Sequence, residues 1–291
     1  MNLNHTQFLA PDEVYTNLET ARVLILPVPY EGGISYGEGT AGAPEAVISA
    51  SHFLELYDEV HKVEAFTMGI ATLQPLMLST DQGAMFESVY KKTRELAATE
   101  KMIVMIGGDH SVTIPQVKAF QSLHGHLSVI QFDAHADLRE QYEGSALSHA
   151  CVMARIREMT TQTLQLGIRS ISSEEAQRVQ KESLPLYTMH DIRTGKLDLD
   201  AALDALPDPV YLTIDVDAFD WSVISSTGTP EPGGFLWDEM LHLLAQVFKK
   251  KRIVGFDVVE LSVYPDDRNS PFAVAKLIYK LLTYYYLSIN K

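Results

Sequence analysis

Three short apolar runs in this chain each end in ionisable residues. Residues 102–106 lead into Gly107-Gly108-Asp109-His110. Residues 127–132 lead into Asp133-Ala134-His135-Ala136-Asp137, and residues 210–214 into Asp215-Val216-Asp217. The spacing of two within Asp133, His135 and Asp137 would aim all three side chains to one side of an extended backbone, and Asp215 and Asp217 would repeat the pattern. Four carboxylates crowded at strand ends repel one another and resist ionisation unless cations offset them. Two divalent ions would balance Asp133, Asp137, Asp215 and Asp217, with His110 and His135 completing an oxygen and nitrogen donor set. Carboxylate and imidazole without thiolate favour manganese over a structural zinc. The chemistry expected is a two-metal site that makes hydroxide from a bridging water. Asp109 reads instead as a helix N-cap.

Elements must carry these residues to one place. The runs 23–28, 102–106, 127–132, 163–168, 210–216 and 252–258 are rich in Val, Ile and Leu and continuous rather than alternating. That pattern predicts strands buried on both faces, as in a parallel sheet. Helical spacing covers 84–99, 172–181, 236–250 and 272–287, and Ser172-Ser173-Glu174-Glu175 is a capping pattern. Strands alternating with helices imply right-handed crossovers and an α/β three-layer sandwich with a mostly parallel central sheet. Ligands bind such sheets outside the carboxyl ends of the strands, which is where the polar motifs fall. Two long loops interrupt the rhythm, a glycine-rich one at 29–44 and Ser-Ser-Thr-Gly-Thr-Pro-Glu-Pro-Gly-Gly at 225–234; loops of this size tend to carry function. Residues 1–291 show no low-complexity linker and no repeat, and read as one domain.

Composition narrows the function. The 291 residues are 46% hydrophobic and 21% charged, which excludes disorder and fibrous repeats. A net charge of −15 and no basic stripe argue against nucleic acid and mildly favour cationic ligands. The densest basic run, 249–252, reads as a solvated helix end. Cys151 is the single cysteine, so no internal disulfide forms, as suits a reducing compartment. No signal-peptide pattern and no apolar stretch of membrane-spanning length are present, so a cytoplasmic protein without membrane partners is expected.

The motifs Gly107-Gly-Asp-His-Ser111, Phe132-Asp-Ala-His-Ala-Asp137, Thr213-Ile-Asp-Val-Asp217 and Gly228-Thr-Pro-Glu-Pro-Gly-Gly234, in this order, resemble the ureohydrolase (arginase/agmatinase) family. The resemblance spans roughly residues 22–288. Pro27-x-Pro-Tyr30 with Ser35-Tyr36 and the 138–148 segment resemble its agmatinase-type members. The resemblance implies an arginase-like fold and two Mn²⁺ per subunit. His110, Asp133, Asp137 and Asp215 match the ligands of one ion; Asp133, His135, Asp215 and Asp217 match those of the other. His149 matches the histidine that moves protons, and Glu260 the glutamate that holds the guanidinium. Glu231, stiffened between prolines, would help shape the guanidinium pocket, and Asp137 would orient the attacking water. The implied reaction is hydrolysis of a small cationic guanidino substrate, agmatine to putrescine and urea, in polyamine biosynthesis. Guanidinobutyrase, arginase, guanidinase or formiminoglutamase activity keeps the chemistry and changes the pocket. A mono-zinc deacetylase and an inactive regulatory homologue are the other readings. Relatives form trimers and hexamers, so a homo-oligomer is implied. Ala218-Phe219 after Asp217, Ala150 after His149 and Val263 after Ser262 depart from the family pattern. Glu143, if at the mouth of the site, would suit a cationic substrate, while Arg139 could meet a carboxylate, hold Glu143 or contact a neighbouring subunit.

Overall fold

The computed structural model describes residues 1–33 and 35–290; residue 34, inside the glycine-rich loop, lies outside them. Among the described residues eight strands join in one sheet: β1 (Val23–Pro27), β2 (Ile70–Thr72), β3 (Met102–Ile106), β4 (Ser128–Phe132), β5 (Thr163–Ile168), β6 (Leu186–Thr188), β7 (Val210–Asp215) and β8 (Ile253–Val259). Their spatial order is β2-β1-β3-β8-β7-β4-β5-β6, and every neighbouring pair is parallel. The helices are α1 (Ala43–Ser51), α2 (Gln82–Ala97), α3 (Thr113–His124), α4 (Val152–Met159), α5 (Ser173–Glu182), α6 (Met189–Arg193), α7 (Leu199–Asp204), α8 (Trp237–Lys250) and α9 (Asn269–Ile289).

Strand alternation divides the apolar runs between two cores. Met102, Val104 and Ile106 of β3 join the core that takes in α1, α8 and α9, while Ile103 and Met105 face the core of α2, α3 and α4. β1, β3, β4 and β7 are buried along their whole length, as continuous Val/Ile/Leu runs require when helices cover both faces. The sheet is thus wholly parallel and the architecture a three-layer α/β sandwich.

Two strands carry no readable run. β2 and β6 are three residues long at the sheet edges, too short for a hydrophobic period. The other boundaries shift by a residue or two; α2 begins at Gln82 because Asp81 caps it, its carboxylate accepting from the Ala84 amide.

The connectivity concentrates polar residues at the centre. The chain leaves β3, crosses to β4 and later returns to insert β7 and β8 between them. The carboxyl ends of β3, β8, β7 and β4 are therefore neighbours, although their residues are far apart in sequence. Gly108 permits the tight join: a Cβ there would lie 1.8 Å from the carbonyl oxygen of Tyr30. With that space open, the Asp109 amide donates to Tyr30 O at 2.9 Å and the Glu260 amide to Gly108 O at 2.8 Å.

Candidate metal centre

Four strand ends supply the site: β3 ends in His110, β4 in Asp133, His135 and Asp137, β7 in Asp215 and Asp217, and β8 in Glu260. The His110 ring is the pivot. Its Nδ1 lies 3.2 Å from Asp133 Oδ2, 3.2 Å from Asp137 Oδ2 and 3.3 Å from Asp215 Oδ2. The His135 Nδ1 lies 2.9 Å from Asp217 Oδ2 and 3.6 Å from Asp133 Oδ1. Two overlapping groups result, His110-Asp133-Asp137 and Asp133-His135-Asp217, and each could hold a metal ion with Asp133 common to both.

The donors gather by a different local geometry from simple alternation. Asp137 sits at φ 53°, in the left-handed region, so its carboxylate turns back toward His110 instead of following the extended line from Asp133. Asp217 lies in a short 3-10 turn whose start is fixed by Asp215, the Asp217 amide donating to Asp215 Oδ1 at 2.9 Å. Left-handed and turn conformations place these side chains, and neither is visible as a period of two.

The electrostatics call for cations. Burial pushes the carboxyl pKa of Asp137 up to about 6, with the Asp133 charge adding to it against the pull of His110. Burial, then the charges of Asp217 and Asp133, hold Asp215 well above the usual carboxylate range. Burial alone would push the His135 ring down, but Asp217 and Asp133 carry it up to about 12. His110 Nδ1 and Asp217 Oδ2 are buried and make no well-directed hydrogen bond. Both atoms face the cluster with close but poorly directed neighbours, which fits divalent ions bound through imidazole nitrogen and carboxylate oxygen.

A second layer fixes these ligands. His110 Nε2 is 2.9 Å from Thr213 Oγ1, which donates to Asp257 Oδ1 at 2.6 Å; Tyr211 and Thr113 hydroxyls donate to Asp257 Oδ2. This chain leaves Nδ1 as the nitrogen facing the cluster. Asp133 Oδ2 accepts from Gln131 at 2.6 Å, and Gln165 in turn donates to Gln131 and to the Ala136 carbonyl. Gln131, Asp257 and Gln165 lie outside the motifs read from the sequence, and Thr213 stands in one without a role of its own. A signal existed, since each is a polar residue inside an otherwise apolar buried strand.

Beside the cluster, His149 Nδ1 is 3.6 Å from Glu260 Oε1 and its Nε2 is 3.1 Å from Ser35 Oγ. Burial disfavours a charged His149, yet Glu260, with Asp137 and Asp109 farther off, raises its pKa overall. Glu260 also has a left-handed backbone, φ 66°, and is buried, one layer back from the cleft wall. Its Oε2 faces Gly228, where a Cβ would come within 3.3 Å. Asp109 caps the turn at His110, as its N-cap reading expects, and also binds the Gly32 and Gly33 amides at 2.8 and 2.7 Å, tying down the glycine-rich loop.

A cleft of about 260 Å³ opens over the cluster, lined by His135, Asp137, His149 and Asp215 and, farther out, by Ser35, Arg139, Tyr142, Glu175 and Thr229. Arg139 stacks over the Tyr142 ring at 5.2 Å, which meets His149 edge-on. Glu143, by contrast, is exposed outside the lining residues, and Cys151 is buried, its thiol pushed up to about 11 by burial and Asp137. Glu231 is not a lining residue; its carbonyl is bound by Arg169 at 2.8 Å. Among the described residues no helix is long and apolar enough to cross a membrane.

Comparison with known proteins gives the same picture. The family model described as the arginase family matches residues 21–283. An N(1)-aminopropylagmatine ureohydrolase of Synechocystis sp. is 36% identical over 287 residues, covering 96% of this chain and 94% of its own. An agmatinase of Pyrococcus horikoshii is 31% identical over 271 residues, covering 91% and 93%. The agmatine ureohydrolase structure of Thermoplasma volcanium superposes with a TM-score of 0.86 at 26% identity, covering 97% of this chain and 94% of that one.

Proposed function

Because the chain belongs to the arginase family, we propose that it is an agmatinase-type enzyme holding two Mn²⁺ and hydrolysing the guanidinium of agmatine to putrescine and urea. The observation that carries this reading is the pair of ligand groups sharing Asp133, with His149 and Glu260 alongside. His110, Asp133, Asp137 and Asp215 would hold one ion, and Asp133, His135, Asp215 and Asp217 the other. Bound there, the ions supply Lewis-acid activation of the water that attacks the guanidinium carbon.

The chain's own groups do the rest. Asp137 accepts a hydrogen bond from the attacking water and orients it. Glu260 offsets the guanidinium charge through Oε2, and its Oε1 holds His149 in place. His149 gives a proton to the departing amine, and Glu260 keeps that proton available near neutral pH. Glu231 acts indirectly, by shaping the 225–234 loop over this pocket. Water attack forms the new C–O bond and the C–N bond to the amine breaks, so urea and the free amine balance the equation.

A second substrate is favoured by a specific observation. Relatives 36% identical to this chain are named for N(1)-aminopropylagmatine. The outer cleft wall carries Glu175, whose carboxylate accepts from the Leu138 and Ser172 amides and the Ser172 hydroxyl and is an acidic group suited to a cationic tail. The same reading expects a cytoplasmic homotrimer or homohexamer of a one-domain chain, with no nucleic-acid or membrane partner.

Urea release by Mn²⁺-loaded protein from agmatine, N(1)-aminopropylagmatine, guanidinobutyrate and arginine tests it. The ratio of kcat/KM between the first two assigns the substrate. Urea from none of them, or one zinc in place of two manganese by metal analysis, overturns it.

A further inference from the structure

Arg169, just past the end of β5, is half-buried beside the cleft and makes no ion pair among the described residues; its guanidinium is spent on main-chain carbonyls. Nε donates to Pro232 O at 3.0 Å. Nη1 donates to Gly167 O at 3.2 Å and Ala218 O at 3.5 Å. Nη2 donates to Asp217 O at 2.5 Å, Glu231 O at 2.8 Å and Phe219 O at 3.3 Å. All three guanidinium nitrogens are engaged, a fork that the single ammonium of lysine cannot reproduce.

These contacts join the pieces of one ligand group. The Arg169 amide donates to Ala134 O at 2.8 Å, between Asp133 and His135. The Ala134 amide donates to Asp217 Oδ1 at 3.0 Å. The side chain then grips the backbone of Asp217 itself and, beyond it, the 225–234 loop. Arg169 thus closes a ring of contacts around Asp133, His135 and Asp217, and among the described residues it makes no hydrogen bond to His110, Asp137 or Asp215.

We propose that Arg169 is a positioning residue for the ion held by Asp133, His135 and Asp217, setting the affinity of that ion more than of its neighbour, because the segment it grips is that of Asp217. This rests on the two-metal reading above. A bare protein would place Asp217 loosely without the guanidinium, while His110, backed by Thr213 and Asp257, would keep the other ion.

The test is Mn²⁺ titration of metal-stripped full-length protein by calorimetry, with kcat and KM for urea release measured beside it. R169K and, as a second variant, R169Q are compared with wild type and with R193A. Arg193 donates to the carbonyls of Gly233 and Gly234 on the same loop but has no link to Asp217. The expected result is two binding events in wild type and R193A. In R169K and R169Q one event weakens on the order of 10–100-fold, as loss of an outer support does elsewhere, and kcat falls with KM little changed. Two unaltered events in both Arg169 variants overturn the proposal, as does equal weakening in R193A, which would mean loop stability only. Failure of both Arg169 variants to melt cooperatively also overturns it, because the guanidinium would then be holding the fold. Wild type binding no metal pair would instead sink the two-metal reading, so the two failures are distinct.

Discussion

Glu260 Oε1 accepts a 2.7 Å hydrogen bond from the backbone N–H of His110. The carboxylate proposed to meet the substrate therefore also pins the main chain of a proposed metal ligand, and the same oxygen is 3.6 Å from His149. In the proposed mechanism substrate charge, proton transfer and metal position meet at one side chain.

That junction separates shape from charge. E260Q keeps an oxygen for the His110 amide and loses the carboxylate's charge. We expect metal content to stay at the wild-type value while kcat/KM drops on the order of 100-fold, since a charge-assisted contact becomes a neutral one. Metal analysis and urea kinetics on one preparation check this; loss of metal would show that the charge of Glu260 is needed to hold the metal ligands and would overturn the expected split.

His149 gives a pH signature. Its folded pKa is raised above the ordinary 6.5, mainly through Glu260 acting against burial. The protonated ring is therefore the dominant form below that raised value and is lost as pH rises through it. Urea release should show an alkaline limb there that moves toward 6.5 in E260Q. H149N should lower kcat by about 10²- to 10³-fold with a smaller change in KM. An alkaline limb unmoved by E260Q would remove His149 from the proton path.

Asp257 never touches the cleft, yet it backs Thr213 and so the His110 ring. D257N, which turns an acceptor into a mixed donor and acceptor, should weaken Mn²⁺ on the order of 10–100-fold. T213V should do the same by cutting the relay at its middle. Equilibrium dialysis against graded Mn²⁺ reads the effect, and unchanged affinity in both would confine Asp257 to a packing role.

Away from the site, Lys280 of α9 is buried with Asp58 at 2.8 Å and also reaches Glu59 at 2.9 Å. Burial would raise the Asp58 carboxyl, but Lys280 and His61 outweigh it and lower the pKa from 3.8 to about 2. A depressed folded pKa contributes stability above the unfolded value and loses it as pH falls through the folded one. D58N should cost about 3 kcal/mol near neutral pH, as breaking a buried pair does. Its gap from wild type should hold down to pH near 4 and close toward pH 2 in denaturant melts. A gap independent of pH would assign the loss to packing.

The reach of the sequence follows from the physics of each feature. Asp133, His135, Asp215 and Asp217 announce themselves because charged residues directly after buried strands demand an explanation. The three-residue edge strands β2 and β6 do not, because no period fits in three positions. Asp137 was placed near the others for the wrong geometric reason: alternation cannot foresee a left-handed φ at a non-glycine residue. Asp257 and Gln131 stand out only as polar letters inside apolar runs. Arg169 carries no local mark at all, because its acceptors are carbonyls, which every residue has.

Asp137 and Glu260 share one more property, a backbone held in the left-handed region at a cost of order 1–3 kcal/mol each. Glycine at either position would relax that conformation and, on this ground alone, make the chain harder to unfold. Selection for heat resistance without an activity screen would therefore drift toward sturdy, silent variants at these two sites. If both carboxylates act as proposed, robustness and turnover pull in opposite directions here, and the living sequence sits on the side of turnover.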